Sequence, residues 1–227
     1  MNRLKQRLLA EWLGTTTLLA IVVGSGHMGE TLAQGNTAIA LLANSTATGL
    51  GLWVLIELFA PISGAHFNPA VSLYFAWRGE LSWPDSAKYI VLQIIGAVCG
   101  VILAHAMFGL TLIDFGTKSR TGTGQWLSEA VATAGLLLTI ALGHRARPNA
   151  VPAMVGAYIA SAYWFTASTS FANPAVTLAR SLTTTIAGIR PADVSGFVLA
   201  QLSGVVLALL LMRLFTSDVT AATNKAA

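Results

Sequence analysis

The chain has 227 residues, of which 55% are hydrophobic and only 10% charged, with a mean hydropathy of +0.68. Soluble domains carry about 25% charge, so this composition excludes a water-soluble globule and fits a protein solvated by a bilayer, with room for about six spans of about 20 residues. The net charge of +4 comes mainly from basic residues lying between apolar runs, which points to orientation in a membrane rather than to nucleic-acid binding.

The chain opens with a polar, basic stretch, Met1 to Arg7, and the apolar run after it has no convincing small-residue cleavage site. It is therefore read as a first span and not a signal peptide. Long apolar segments follow at roughly 8–28, 38–60, 87–110, 125–143, 151–167 and 194–215. All are expected to be helices, because a helix satisfies its own backbone hydrogen bonds in lipid, and the short-period alternation of barrel strands is absent. Two shorter segments, about 68–77 and 173–183, are too short to span, and each begins with Asn-Pro-Ala. Gly96, Gly100, Gly204 and Ala208 are spaced for close helix crossing. The 217–227 tail is small and polar and is expected to be disordered. Cys99 is the one cysteine, which excludes an intrachain disulfide, and no cluster of metal-ligating residues is present, so neither metal nor cofactor is expected.

With the N-terminus in the cytoplasm, Arg3, Lys5, Arg7, Arg78, Lys88, Arg145, Arg147, Arg213 and Lys225 fall inside. Only Lys118, Arg120, Arg180 and Arg190 fall outside. This bias places both termini in the cytoplasm. The chain also repeats itself. Glu11, then Asn68-Pro69-Ala70, then Gln93 recur in order as Glu129, Asn173-Pro174-Ala175 and Gln201. Each half holds an odd number of spans, so the halves, about 8–110 and 125–215, have opposite topologies within a single 1–227 transmembrane domain. That is an inverted repeat.

Asn is a good helix N-cap and Pro suits the first helical turn. Asn68-Pro69 and Asn173-Pro174 thus read as starts of re-entrant half-helices, about 15 Å long, that meet near the membrane midplane. Two helix N-termini facing one point repel cations, while the two carboxamides can donate to a solute oxygen. The backbone carbonyls before each half-helix are expected to line the path.

Ser63 to Ser72, with its central His66-Phe67-Asn68-Pro69-Ala70-Val71, and Phe171 to Thr177 resemble the two signature loops of the aquaporin, or major intrinsic protein, family. The resemblance runs from Glu11 to about Phe215. It implies an all-α membrane fold of six transmembrane helices plus two re-entrant half-helices, one pore per subunit and a homotetramer. It gives Asn68 and Asn173 the role of paired pore asparagines, and Glu11 and Glu129 that of buried carboxylates holding the signature loops. His66 becomes a residue of the cytoplasmic vestibule. In water-selective members an arginine directly follows the second Asn-Pro-Ala; here that place is Val176. An ungapped count back from the loops puts the other filter positions at Thr48, Ser161 and Ser170. The resulting ring is uncharged and rich in hydroxyls, wide enough for solutes larger than water. Arg180, one helical turn past Val176, is a candidate displaced charge at the outer mouth, and Glu57, inside the second span, is a candidate pore or interface carboxylate.

The wording around Asn173 further resembles bacterial aquaporin-like proteins associated with arsenic resistance. The expected function is a passive channel in the cell's inner membrane for glycerol-like polyols or metalloid acids (arsenite, methylated arsenicals), with water. The alternatives are a water-selective aquaporin or a secondary transporter using Glu57 as its coupling site. No nucleophile–base pair lies near the loops, so an enzyme is not expected.

Overall fold

The computed structural model describes residues 3–223, with side chains as far as Phe215. The described residues form helices α1 (Arg3–Leu32), α2 (Thr37–Ser63), α3 (Pro69–Trp77), α4 (Trp83–Met107), α5 (Thr123–Ala146), α6 (Val151–Phe165), α7 (Pro174–Ala179) and α8 (Val194–Thr223). Short 3-10 turns at 148–150, 180–182 and 191–193 adjoin α6, α7 and α8.

Local chemistry sets these boundaries. The Asn36 side chain accepts from the Ile39 amide at the start of α2, and Ser82 does the same for Asp85 at the start of α4. Gly64 ends α2 in the left-handed region, at φ 91°, where its amide returns to the Ala60 carbonyl. Helix α1 begins several residues before the apolar run, so Arg3, Lys5 and Arg7 lie on its first turns, and Arg7 donates to the Tyr89 hydroxyl at 2.7 Å.

Helices α1, α2, α4, α5 and α8 are long and apolar enough to cross a membrane. The remaining expected span, 151–167, is α6, which has 15 helical residues. That makes about 22 Å of helix, less than a full hydrocarbon core. Pro152 fixes its start and the chain turns extended at Thr166, so the 3-10 turn before it and the loop after it complete the passage.

The two halves pack alike. α1 lies against α4 and α2, α5 lies against α8 and α6, and α2 meets α6. Gly96 and Gly204 occupy matched crossings: a Cβ on Gly96 would sit 2.5 Å from the Trp12 carbonyl oxygen, and one on Gly204 2.6 Å from that of Ala130. Each α4 or α8 backbone therefore rides directly on its neighbour. Outward faces carry exposed Leu50, Leu58, Leu199 and Leu214, as a lipid-facing surface requires. Of the 217–227 tail, the backbone of α8 takes in residues as far as Thr223, and the rest lies outside the described residues.

Candidate solute pathway

The pathway is organised by two loops that the chain builds twice. In the first, Glu11 is fully buried. One carboxylate oxygen accepts from the Ser63 hydroxyl (2.6 Å) and the His66 amide (3.0 Å), the other from the Phe67 amide (2.7 Å) and the Gln93 side chain (2.8 Å). In the second, Glu129 accepts from the Phe171 amide (2.8 Å) on one oxygen and from the Ala172 amide (2.9 Å) and Gln201 side chain (2.6 Å) on the other. Gln93 also donates to Ser72, and Gln201 to Thr177. The carboxylates satisfy amides that an irregular chain inside a membrane would leave without partners.

Both loops hold non-glycine residues at positive φ, in register: Ala65 at 51° with Ser170 at 48°, and Phe67 at 49° with Ala172 at 48°. Such backbone costs about 1–3 kcal/mol per residue and persists only where its surroundings over-determine it. The carboxylate anchors supply that determination.

The asparagines then tie the loops to each other. Asn68 Oδ1 caps α3 by accepting from the Ala70 amide (2.8 Å), and Asn173 Oδ1 caps α7 by accepting from the Ala175 amide (3.0 Å). Asn68 Nδ2 donates to the Ala172 carbonyl and Asn173 Nδ2 to the Phe67 carbonyl, both at 2.8 Å. This reciprocal brace uses one N–H of each carboxamide. Both asparagines line a cavity of about 390 Å³ that runs between the helices.

One end of that cavity is lined by Arg7, His66 and His144. His66 stacks on Phe75, with ring centroids 4.9 Å apart, and its Nδ1 lies 3.0 Å from the Ser72 hydroxyl. The other end is lined by Thr48, Tyr163, Ser170, Val176 and Arg180. The Tyr163 hydroxyl reaches the Thr48 hydroxyl at 3.4 Å. The Ser170 hydroxyl is buried and has no hydrogen-bond partner in the protein.

Three of the expected filter positions, Thr48, Ser170 and Val176, thus come together. Ser161 does not. It is exposed, and its hydroxyl is spent on the Tyr158 carbonyl of its own helix. Val155, Ile159 and Tyr163, four residues apart, form the face of α6 that lines the cavity. Ser161 is half a turn away from it, so Tyr163 takes the place assigned to Ser161. Arg180 does line this end: it is 1% exposed, its Nε donates to the Ala187 carbonyl, and its guanidinium lies 3.4 Å from the Phe171 ring centre. Glu57 is on the outside of α2, accepting from Trp53 Nε1 at 3.3 Å, and does not line the cavity.

The sequence pattern of the major intrinsic proteins matches residues 1–165. Over 210 residues the chain is 57% identical to the aquaglyceroporin AqpS of Rhizobium meliloti, covering 92% of this chain and 90% of that protein. The chain belongs to the major intrinsic protein family. It is an integral multi-pass membrane protein and a channel for small neutral solutes. A probable glycerol uptake facilitator protein of Thermotoga maritima is 35% identical over 103 residues, 44% of this chain and 43% of that one. The X-ray structure of the aquaglyceroporin from Plasmodium falciparum shares the fold, with a TM-score of 0.75 over 96% of this chain and 99% of that one, at 18% identity.

Within this major intrinsic protein fold, sequence reasoning missed two residues. Tyr163 is legible once the inward face of α6 is phased on Val155 and Ile159. Arg120 has no such signal: it comes from the irregular chain between α4 and α5 and is only 4% exposed. Its side chain donates to the carbonyls of Gly188 (2.9 Å), Ser168 (3.0 Å) and Ile186 (3.2 Å).

Proposed function

We propose that this channel conducts glycerol-like polyols and uncharged metalloid acids, arsenous acid and methylated arsenicals among them, together with water, by passive diffusion. The observation that carries the reading is the two-sided wall at the Arg180 end of the cavity. Hydroxyls of Thr48, Tyr163 and Ser170 stand on one part of it, and Val176 supplies an apolar part where a guanidinium would otherwise narrow the passage. A polyol or a trihydroxy acid has hydrogen-bonding edges and less polar faces, and it exchanges its water for those hydroxyls with little desolvation loss. At the Asn68–Asn173 brace the second N–H of each carboxamide is the donor for a passing oxygen. No covalent chemistry enters this reading.

The protein works in the cell's inner membrane with both termini cytoplasmic, as the distribution of Lys and Arg favours, so the Arg180 end of the cavity opens outward and the His66 end inward. The same channel domain repeats over 8–110 and 125–215 and assembles as a homotetramer. A carboxylate on the outer face of a spanning helix is costly against lipid, and Glu57 with Trp53 marks the face of α2 that a neighbouring subunit covers. A secondary transporter is disfavoured because Glu57, its candidate coupling site, is off the path. A water-selective channel is the second reading, favoured by the bulk of Tyr163 and Arg180 at the same end.

Stopped-flow light scattering on proteoliposomes, with water, glycerol, urea and arsenous acid as the panel, tests both. Fast passage of glycerol and arsenous acid is expected. Fast water with every larger solute excluded would establish the second reading instead.

A further inference from the structure

The position after the second Asn-Pro-Ala is Val176, which carries no charge, yet the Arg180 end of the cavity is not electrically neutral. Arg180 lines it, and Arg120, from the loop between α4 and α5, lies behind the lining against Phe171. The two guanidiniums share one aromatic partner: they lie 3.4 Å and 4.9 Å from the centre of the Phe171 ring. Every hydrogen-bond acceptor shown for them is neutral. Arg180 donates to the Ala187 carbonyl, and Arg120 donates to the carbonyls of Gly188, Ser168 and Ile186 and to the Thr169 hydroxyl. Among the described residues neither is in an ion pair. The nearby carboxylates keep their charge but make their hydrogen bonds to other donors, Glu129 to the loop amides and Asp193 to the Arg120 backbone N–H and the Arg190 side chain.

Two buried positive charges without a salt-bridge partner, offset in part by the Glu129 carboxylate, stand beside a narrow path and project their field into it, because little water stands between to screen them. Lys118 on the same loop registers that field: burial first, and then Arg120 and Arg180, push its ammonium below the ordinary range.

We infer that Arg120 and Arg180 together form the cation barrier at this end of the channel, replacing a charge that the sequence omits at Val176. Arg120 acts from behind the wall, through its field, and Arg180 from the wall itself. The division suits a wide filter. Moving the charge back from position 176 leaves room for a polyol, while a hydronium or sodium ion still meets two like charges before it reaches the Asn68–Asn173 brace. This rests on the channel reading above.

The test separates charge from geometry. Wild type, Arg120→Gln, Arg180→Gln, the double Gln variant and the two corresponding Lys variants are reconstituted, with melting temperature in detergent as an independent check of folding. Glycerol flux is followed by light scattering and proton flux by an entrapped pH dye under a potassium–valinomycin potential. The double Gln variant is expected to leak protons about tenfold or more above wild type, each single Gln variant less, and the Lys variants to stay tight, since only the Lys variants keep the charge. A double Gln variant as proton-tight as wild type would overturn the inference. So would Lys and Gln variants that leak equally, because the guanidinium fork and not its charge would then be what matters. A wild type that passes no solute at all would sink the channel reading itself, and the glycerol trace reveals that without any proton measurement.

Discussion

At the start of α3, Glu11 holds the amides of His66 and Phe67, and Gln93 braces Ser72. At the start of α7, Glu129 holds the amides of Phe171 and Ala172, and Gln201 braces Thr177. The backbone twists agree position for position. One pair of matched sites separates the two loops in its contacts. His66 stacks on Phe75 and hydrogen-bonds Ser72, whereas its counterpart Phe171 carries the guanidiniums of Arg120 and Arg180. What the loops share keeps a strained backbone in place at mid-membrane. What they do not share faces opposite ends of the path. Architecture is duplicated, and part of the end-specific chemistry sits on the residue beside each anchor point.

The largest expected effect attacks the shared part. Glu11→Ala strands four donors and Glu129→Ala three. At about 1–3 kcal/mol for each buried donor left unsatisfied, either change removes a large part of the stability of the fold. Melting temperature in detergent should fall steeply for both, and further for Glu11→Ala. Equal wild-type-like melting would show that the loops hold themselves and that the duplicated anchors are dispensable. Next in size are the matched crossings. Gly96→Val and Gly204→Val each force a side chain into a backbone carbonyl, at about 1–3 kcal/mol by overpacking. Similar losses in the two halves would confirm that the crossings are equivalent; a large difference would show that one half tolerates separation of its helices.

The duplicated features were legible in the sequence for a physical reason. A carboxylate, a carboxamide and a helix-starting Asn-Pro are out of place in an apolar run, and seeing them twice in one order is informative. The anchors, the caps and the glycine crossings therefore stood out. Arg120 did not, because a loop has no periodicity to phase it and nothing local says that its side chain turns inward to collect carbonyls from 168–188. The tyrosine was hidden differently. Counting residues back from Asn173 fixes a distance along the chain but not a rotation about α6, and each residue of error turns the helix by about 100°.

That error makes the finest comparison, between two neighbours on one helix. Tyr163→Ala removes a ring and a hydroxyl from the wall beside Thr48 and Val176. The widened passage should admit larger polyols and raise their flux relative to water by about tenfold, equivalent to about 1.4 kcal/mol in the barrier. Ser161→Ala, two residues earlier, removes a hydroxyl that faces outward and bonds only its own helix. Substitutions away from core and site stay within about 0.5 kcal/mol, so its glycerol and water permeabilities should both remain within about twofold of wild type. The two variants measured in one stopped-flow series decide which face of α6 the solute meets. A response to Ser161→Ala with none to Tyr163→Ala would mean that α6 is rotated by about half a turn in the working channel, and the wall of Thr48, Tyr163, Ser170 and Val176 would have to be redrawn.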